Sequence, residues 1–373
     1  MSLKKATAMP EIVSNGFIHQ SEDINSYMPS VVELDNGHYL ASVHTGNHLA
    51  GVCNNIEILL SRNCGETWQS LGPPFKRSED DCWAYQAPGL TKLKTGTILI
   101  TASRFLIKSE GYAYDPDTES LCPSEMLFFE SIDEGHSWHG PVMIDAGLDP
   151  NRYTVSHDDA IFENQQGEWF VLFETWRPPS ATGKAERING LLKSTNQGKS
   201  WKPFKELRKN LEGEDQLADG KLCRLNDQQI LIYFWKHQGN SGIDEPNQLI
   251  FSNDDGENWS AARPTNVPGQ VCAPIPLPDQ RVGVIYNYRK EKHQVRFATS
   301  EDFINFDLEN QIVLFDALEE RYVRSFADEF TDKHQQISFG WPHGKALQDG
   351  SILTYFWCTQ NKQTHTRWVK LRA

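Results

Sequence analysis

Ser61-Arg62-Asn63-Cys64-Gly65-Glu66-Thr67-Trp68 returns three times along the chain, as Ser131-Ile132-Asp133-Glu134-Gly135-His136-Ser137-Trp138, Ser194-Thr195-Asn196-Gln197-Gly198-Lys199-Ser200-Trp201 and Ser252-Asn253-Asp254-Asp255-Gly256-Glu257-Asn258-Trp259. The starts are 70, 63 and 58 residues apart, and a degenerate copy from Ser300 to Phe306 follows 48 residues later without the Gly and the Trp. Each element suits a tight turn between two strands. Asp or Asn bonds the backbone ahead of it, Gly takes positive φ, and Trp covers the turn while its indole N–H finds a partner. Length alone would suggest two or three domains at roughly 150 residues each; a repeat at this spacing predicts an array of similar units instead.

The pattern resembles the Asp-box, S-x-D-x-G-x-[ST]-W, of the sialidase-like (BNR repeat) propeller family, over about residues 11 to 373. The resemblance implies that the boxes are structural turns between the third and fourth strands of each blade, away from the active site.

A second repeat lies upstream of each box. Tyr27-Met28-Pro29 leads to Leu34-Asp35-Asn36-Gly37 and a β run ending at His44, and Gly340-Trp341-Pro342 leads to Leu347-Gln348-Asp349-Gly350 and a run ending at Trp357. The offset between the two is 313, and the same frame fits at offsets of 59, 130, 191 and 243. β-branched and aromatic runs bounded by Asn-Gly, Asp-Gly or Thr-Gly are hairpin signals, and no helical period is sustained. The expectation is an all-β fold: a six-bladed β-propeller of four-stranded antiparallel blades starting near residues 27, 86, 157, 218, 270 and 340. Residues 1–10 read as an N-terminal tail and 11–373 as one propeller domain. The run Ile12–Ile18 is expected to complete the last blade beside Thr366–Leu371.

The formal charge is −14, from 36 Lys plus Arg against 50 Asp plus Glu. No apolar stretch approaches the roughly 18 residues of a membrane helix, and an acidic surface lacks the field that draws a chain onto DNA or anionic lipid. Nucleic acid and membrane are therefore not expected as partners; the oligomeric state stays open. Seven Cys with no CxxC pair suggest neither a disulfide framework nor a thiolate zinc site. No cofactor or metal is expected: His44, His48 and His157 could meet Asp158 in space, but no ligand spacing on one element points to a metal. Met1–Ala6 has no apolar region after it, so the sequence as given reads as cytoplasmic, with a removed secretion signal left open.

In propellers of the family it resembles, the ligand lies on the axis where the innermost strands begin and the second strands end. The repeat frame places Met28, Ala87, Asp158, Asp219, Val271 and Trp341 at the first of these positions. His44, Ser103, Glu174, Trp235, Asn287 and Trp357 fall at the second. Nearby come Tyr27, Tyr85, Arg104, His157, Arg177 and Arg289. Aromatic faces stack on sugar rings and Arg forks grip carboxylates, so Tyr27, His44, Tyr85, Arg104, His157, Arg177, Trp235, Arg289 and Trp341 are expected to bind substrate. Glycoside hydrolysis usually needs two carboxyls, one protonated and one ionised; Asp158, Asp219 and Glu174 are the catalytic candidates, Asp158 first among them. Alternation along a strand would turn Asp158 away from His157 and Asp159.

Sialidases carry an Arg in an R-I-P motif and a Tyr nucleophile. The matching slots here read Met28-Pro29-Ser30 and Phe339-Gly340-Trp341-Pro342-His343, so the chain departs from a typical sialidase. The expected function is a glycoside hydrolase of that superfamily acting on a terminal, acidic sugar. The alternatives are a non-catalytic glycan-binding propeller, an exo-sialidase with rearranged residues, and a lyase using His44, His157 or Tyr27 as base.

Overall fold

The computed structural model describes residues 10–78, 81–107, 113–115, 118–210, 215–238, 243–317 and 339–372. They form a six-bladed β-propeller with no helix among the described residues. After β1 (Glu11–His19), blade one comprises β2 (Asn25–Glu33), β3 (Tyr39–Gly46), β4 (Asn55–Ser61) and β5 (Gln69–Gly72). Blade two comprises β6 (Trp83–Lys92), β7 (Ile98–Leu106), β10 (Ser124–Ser131) and β11 (His139–Ile144), with the small hairpin β8 (Tyr114–Asp115) and β9 (Ser120–Leu121) between β7 and β10. Blade three comprises β12 (Thr154–His157), β13 (Phe162–Glu163), β14 (Trp169–Trp176), β15 (Arg187–Ser194) and β16 (Lys202–Asn210). Blade four follows as β17 (Gln216–Arg224), β18 (Ile230–Gln238), β19 (Ile243–Ser252) and β20 (Arg263–Pro264). Blade five is β21 (Gln270–Pro276), β22 (Val282–Arg289), β23 (His293–Ser300) and β24 (Ile312–Asp316). Blade six is β25 (Phe339–Ala346), β26 (Ile352–Gln360) and β27 (Gln363–Arg372), and β1 adds its fourth strand.

That addition closes the ring. β1 runs antiparallel to β27, with Glu11 opposite Arg372 and Gly16 opposite Trp368. Apolar side chains from neighbouring blades merge into shared cores, as Val32, Leu40 and Ile58 of blade one do with Leu90, Ile100 and Phe129 of blade two. Blade six joins blade one through Leu353, Tyr355 and Trp368 packed with Val31, Ala41 and Leu59.

The four repeated octapeptides share one turn geometry, with the Trp indole bonded to the glycine carbonyl in three of them and Trp201 Nε1 unpartnered among the described residues. In the first, Gly65 N donates to Ser61 Oγ at 2.8 Å, Thr67 N to Asn63 Oδ1 at 2.9 Å, and Trp68 Nε1 to Gly65 O at 3.0 Å. The residue before each glycine is also left-handed: Cys64, Glu134, Gln197 and Asp255 have φ of 55 to 58°. The turns bear on neighbouring blades. A Cβ on Gly135 would stand 2.8 Å from Leu40 of blade one, and one on Gly198 2.6 Å from Phe128 of blade two. Trp368 Nε1 of blade six donates to Gly65 O at 2.9 Å. The degenerate fifth turn keeps its Asp cap, with Asn305 N on Asp302 Oδ1 at 2.7 Å. Asn266 of blade four replaces the missing Trp by accepting from Phe306 N and donating to Phe306 O, both at 2.8 Å.

Candidate active site

A backbone irregularity recurs at the start of the inner strands. Pairing with the second strand slips between Tyr27 and Ser30, Gln86 and Gly89, Ala218 and Lys221, Gln270 and Cys272, and Gly340 and His343. Inside each slip one residue is left-handed: Met28 at φ 46°, Ala87 at 54°, Asp219 at 51°, Val271 at 45° and Trp341 at 49°. A non-glycine residue held there costs on the order of 1–2 kcal/mol, and a bulge of this kind re-aims a side chain. In blade three β12 stops at His157, and Asp158 N reaches back to Leu172 O at 3.0 Å. These six residues are the ones the sequence frame aligned. At the ends of the second strands Trp235 pairs with Ala218, one residue before Asp219, whereas in blade three Glu174 pairs with Ser156, two residues before Asp158.

The break in blade three corrects the expected alternation. With no strand through residues 158 and 159, Asp159 also points into the channel. Its carboxylate accepts from Leu222 N of blade four and from Ala160 N, both at 2.8 Å, and lies 3.3 Å from His343 Nε2 of blade six. Those partners hold Asp159 ionised, at about 2.

Asp158, Glu174 and Asp219 gather at the axis. Asp158 is 1% exposed and neither carboxyl oxygen has a hydrogen-bond partner among the described residues. Glu174 is 7% exposed; Ser156 Oγ donates to its Oε1 at 3.4 Å, while Oε2 is unpartnered among the described residues. Asp219 is half-buried. Among them sits Lys221, 0% exposed, whose Nζ donates to the carbonyl oxygen of Asp158 and lies 3.6 Å from the centre of the Trp341 ring. An ammonium this deep is tolerated because anionic and π partners replace its water.

Burial disfavours the charged form of every carboxyl here, and neighbouring carboxyls add to it. Asp158 is pushed well up by burial and then by Glu174, against the pull of Lys221. Glu174 is pushed to about 8 by burial and Asp219, with Arg187 and Lys221 opposing. Asp219 rises by burial, but Lys221 and Arg289 both pull it down. All three acids crowded around this one ammonium are thus pushed up, and Asp219 is the one whose shift two cations, Lys221 and Arg289, oppose.

Sequence reasoning missed Lys221 and Arg187. Lys221 stands two residues beyond Asp219, and that spacing was the available signal. Arg187 is buried with its guanidinium 4.5 Å over Trp176 and 4.0 Å from Glu119; its sequence neighbourhood gives no such signal.

The expected substrate-binding residues divide. Trp341 and Arg289 join the cluster: Arg289 donates to Gln270 Oε1 and Phe339 O, lies over the Phe339 ring, and keeps a buried Nε without a partner among the described residues. Trp235 stands beside it, its Nε1 on Asp244 Oδ1 at 2.8 Å and its ring stacked on His237. Tyr27 and His44 pack together with Trp357, and burial holds His44 neutral, down at about 3. His157 bridges blades two and three through Ser103 Oγ at 2.7 Å and Ala87 O at 2.9 Å, and stays neutral at about 4. Arg177 donates to Gly183 O at 2.8 Å and also has a buried Nε without a partner among the described residues. Tyr85 and Arg104 stand apart, correcting the expectation for both. Tyr85 packs 4.4 Å from Phe75 in the core shared by blades one and two. Arg104 is held by Glu125 at 2.7 Å, by Tyr85 Oη at 3.3 Å and by the Trp83 ring. Among the described residues no group of three or more His, Cys, Asp or Glu is placed to hold a metal ion.

No protein-family model and no curated protein sequence matches the chain. Solved structures do. A protein of unknown function from Dyadobacter fermentans aligns over 97% of this chain and 99% of its own, with a TM-score of 0.75 and 18% identity. A Hadza microbial sialidase aligns over 93% of this chain and 65% of its own (TM-score 0.66, 13% identity). Penicillium chrysogenum α-L-arabinanase, complexed with arabinobiose, aligns over 97% and 98% (TM-score 0.64, 16% identity). The chain shares with the sialidases and the arabinanase the six-bladed propeller fold.

Proposed function

We propose that this propeller is a glycoside hydrolase that cleaves a terminal, acidic sugar by carboxyl acid/base chemistry at the mouth of its channel. The observation that carries the reading is the cluster of Glu174, Asp219 and Asp158 around buried Lys221. A general acid works best with a pKa near the operating pH, and Glu174 at about 8 meets that condition. The proton of Glu174 goes to the glycosidic oxygen as the bond to the anomeric carbon breaks. Asp219, whose ionised form Lys221 and Arg289 favour against burial, supplies the electron pair at the anomeric carbon, directly or by taking a proton from water. Trp341 offers a ring face to the sugar. The unpartnered Nε groups of Arg289 and Arg177 suit a sugar carboxylate.

The test is a panel of fluorogenic glycosides, uronides and sialosides included, with product release measured for wild type, Glu174→Gln and Asp219→Asn. Each variant is expected to lose roughly 10²–10⁴-fold in kcat. Unchanged turnover in both variants sinks the assignment of roles. Tight glycan binding without release on long incubation replaces it with a binding propeller, and an unsaturated product absorbing in the ultraviolet replaces it with a lyase.

A further inference from the structure

The channel has a second chamber at its far end. A cavity of about 410 Å³ opens there, below Asp159 and on the side of the octapeptide turns, lined in part by Lys92, Lys94, Arg224, Lys345, Asp159 and Glu163. Four cationic side chains and two carboxylates line its wall. Asp158 and Asp159 are consecutive yet serve opposite ends of the channel: the first belongs to the carboxyl cluster, the second walls this chamber.

The cations are unevenly satisfied. Arg224 pairs with Asp255 and Lys92 with Asp35. Lys94 Nζ bonds only neutral oxygens, Asn164 O at 3.1 Å, Gln165 O at 3.3 Å and Gln165 Oε1 at 2.9 Å. Lys345 makes no hydrogen bond or ion pair among the described residues. Tyr355 and Ser30 add hydroxyls to the wall, and Leu90, Ile161 and Pro274 add apolar surface. A concave site of this volume with few polar groups converging on apolar walls is the ordinary form of a small-molecule site.

We propose that this chamber is a second ligand site, separate from the carboxyl mouth, that takes a small molecule bearing a phosphate or carboxylate group held by the ammonium groups of Lys345 and Lys94. Burial and Lys92 together press Lys345 down to about 8 against the pull of Asp159, and an anion held beside its ammonium would favour the charged form.

The experiment is titration calorimetry of the whole chain with inorganic phosphate and, separately, with acetate, at constant ionic strength set with sodium chloride. Wild type is expected to show saturable binding of at least one anion, and the one that binds fixes the class. Lys345→Met is expected to weaken it roughly tenfold or more, the loss typical of one charge-assisted contact, while Lys345→Arg retains it. Asp219→Asn, in the other mouth, is expected to bind as wild type does. No saturable binding of either anion overturns the proposal. So does equal binding by wild type and Lys345→Met, loss in the Arg variant as in the Met variant, or loss in Asp219→Asn with retention in Lys345→Met.

Discussion

Glu174 holds its proton to about 8 because the fold has removed its water and set Asp219 beside it. That has a thermodynamic sign. In the unfolded chain Glu174 ionises near 4.5, so between about 4.5 and 8 the unfolded state has released a proton that the folded state retains, and stability falls as pH rises through that window. Glu174→Gln removes the difference. The variant is expected to melt above wild type at pH 8 and level with it at pH 4, while losing turnover; calorimetry at the two pH values checks this, and a gain that is equal at both argues against a raised Glu174. At this scale the sequence was readable where a position repeats six times. Asp158, Asp219 and Glu174 fell out of the frame because each occupies a slot that every blade must fill. Lys221 and Arg187 were not read: the two-residue spacing from Asp219 was the signal for Lys221, and only burial reveals Arg187.

The turns and bulges are a matter of elements. Gly198 has φ 77°, and an added Cβ would meet Phe128 at 2.6 Å and the Trp169 ring at 3.0 Å; Gly37 has φ 78° and an added Cβ meets nothing within 4 Å. The same substitution therefore separates two costs. Gly37→Ala carries the left-handed penalty alone, about 1 kcal/mol, and Gly198→Ala adds overpacking of roughly 1–3 kcal/mol more. Denaturant unfolding of the two variants measures the difference, and equal losses would mean that the turn does not bear on its neighbour. The octapeptide was legible because four residues of fixed type make one local geometry. Asp159 was not read as part of the channel, because the alternation that turns it away from Asp158 says nothing of the channel's far end, and β12 ends at His157. Tyr85 and Arg104 were misplaced because the frame fixes a height along the blade but not the face from which a side chain leaves.

Ring closure belongs to the whole molecule. Trp368 is 4% exposed, sits against Gly16 of β1 and Gly65 of blade one, and donates to Gly65 O, so it ties three segments distant in sequence. Trp368→Ala is expected to cost about 3–5 kcal/mol. Ile12→Ala, on the same closing strand but 43% exposed, stays within about 0.5 kcal/mol. Chemical denaturation followed by tryptophan fluorescence and by circular dichroism reads both; a small loss for Trp368→Ala would show that the ring does not depend on this clasp. The pairing of β1 with β27 was readable from the apolar run at each end, because a propeller blade short of one strand must find it elsewhere.

That pairing also sets how the molecule answers force. Glu11 lies opposite Arg372, so the two outermost paired residues are neighbours at one end of an antiparallel ladder. Tension applied through them pulls across the ladder and parts its hydrogen bonds one after another, as a zip opens, instead of loading them together in shear. Tension at these two residues thus acts first on the seam, where blade six would lose its outer strand β1 and keep β25 to β27.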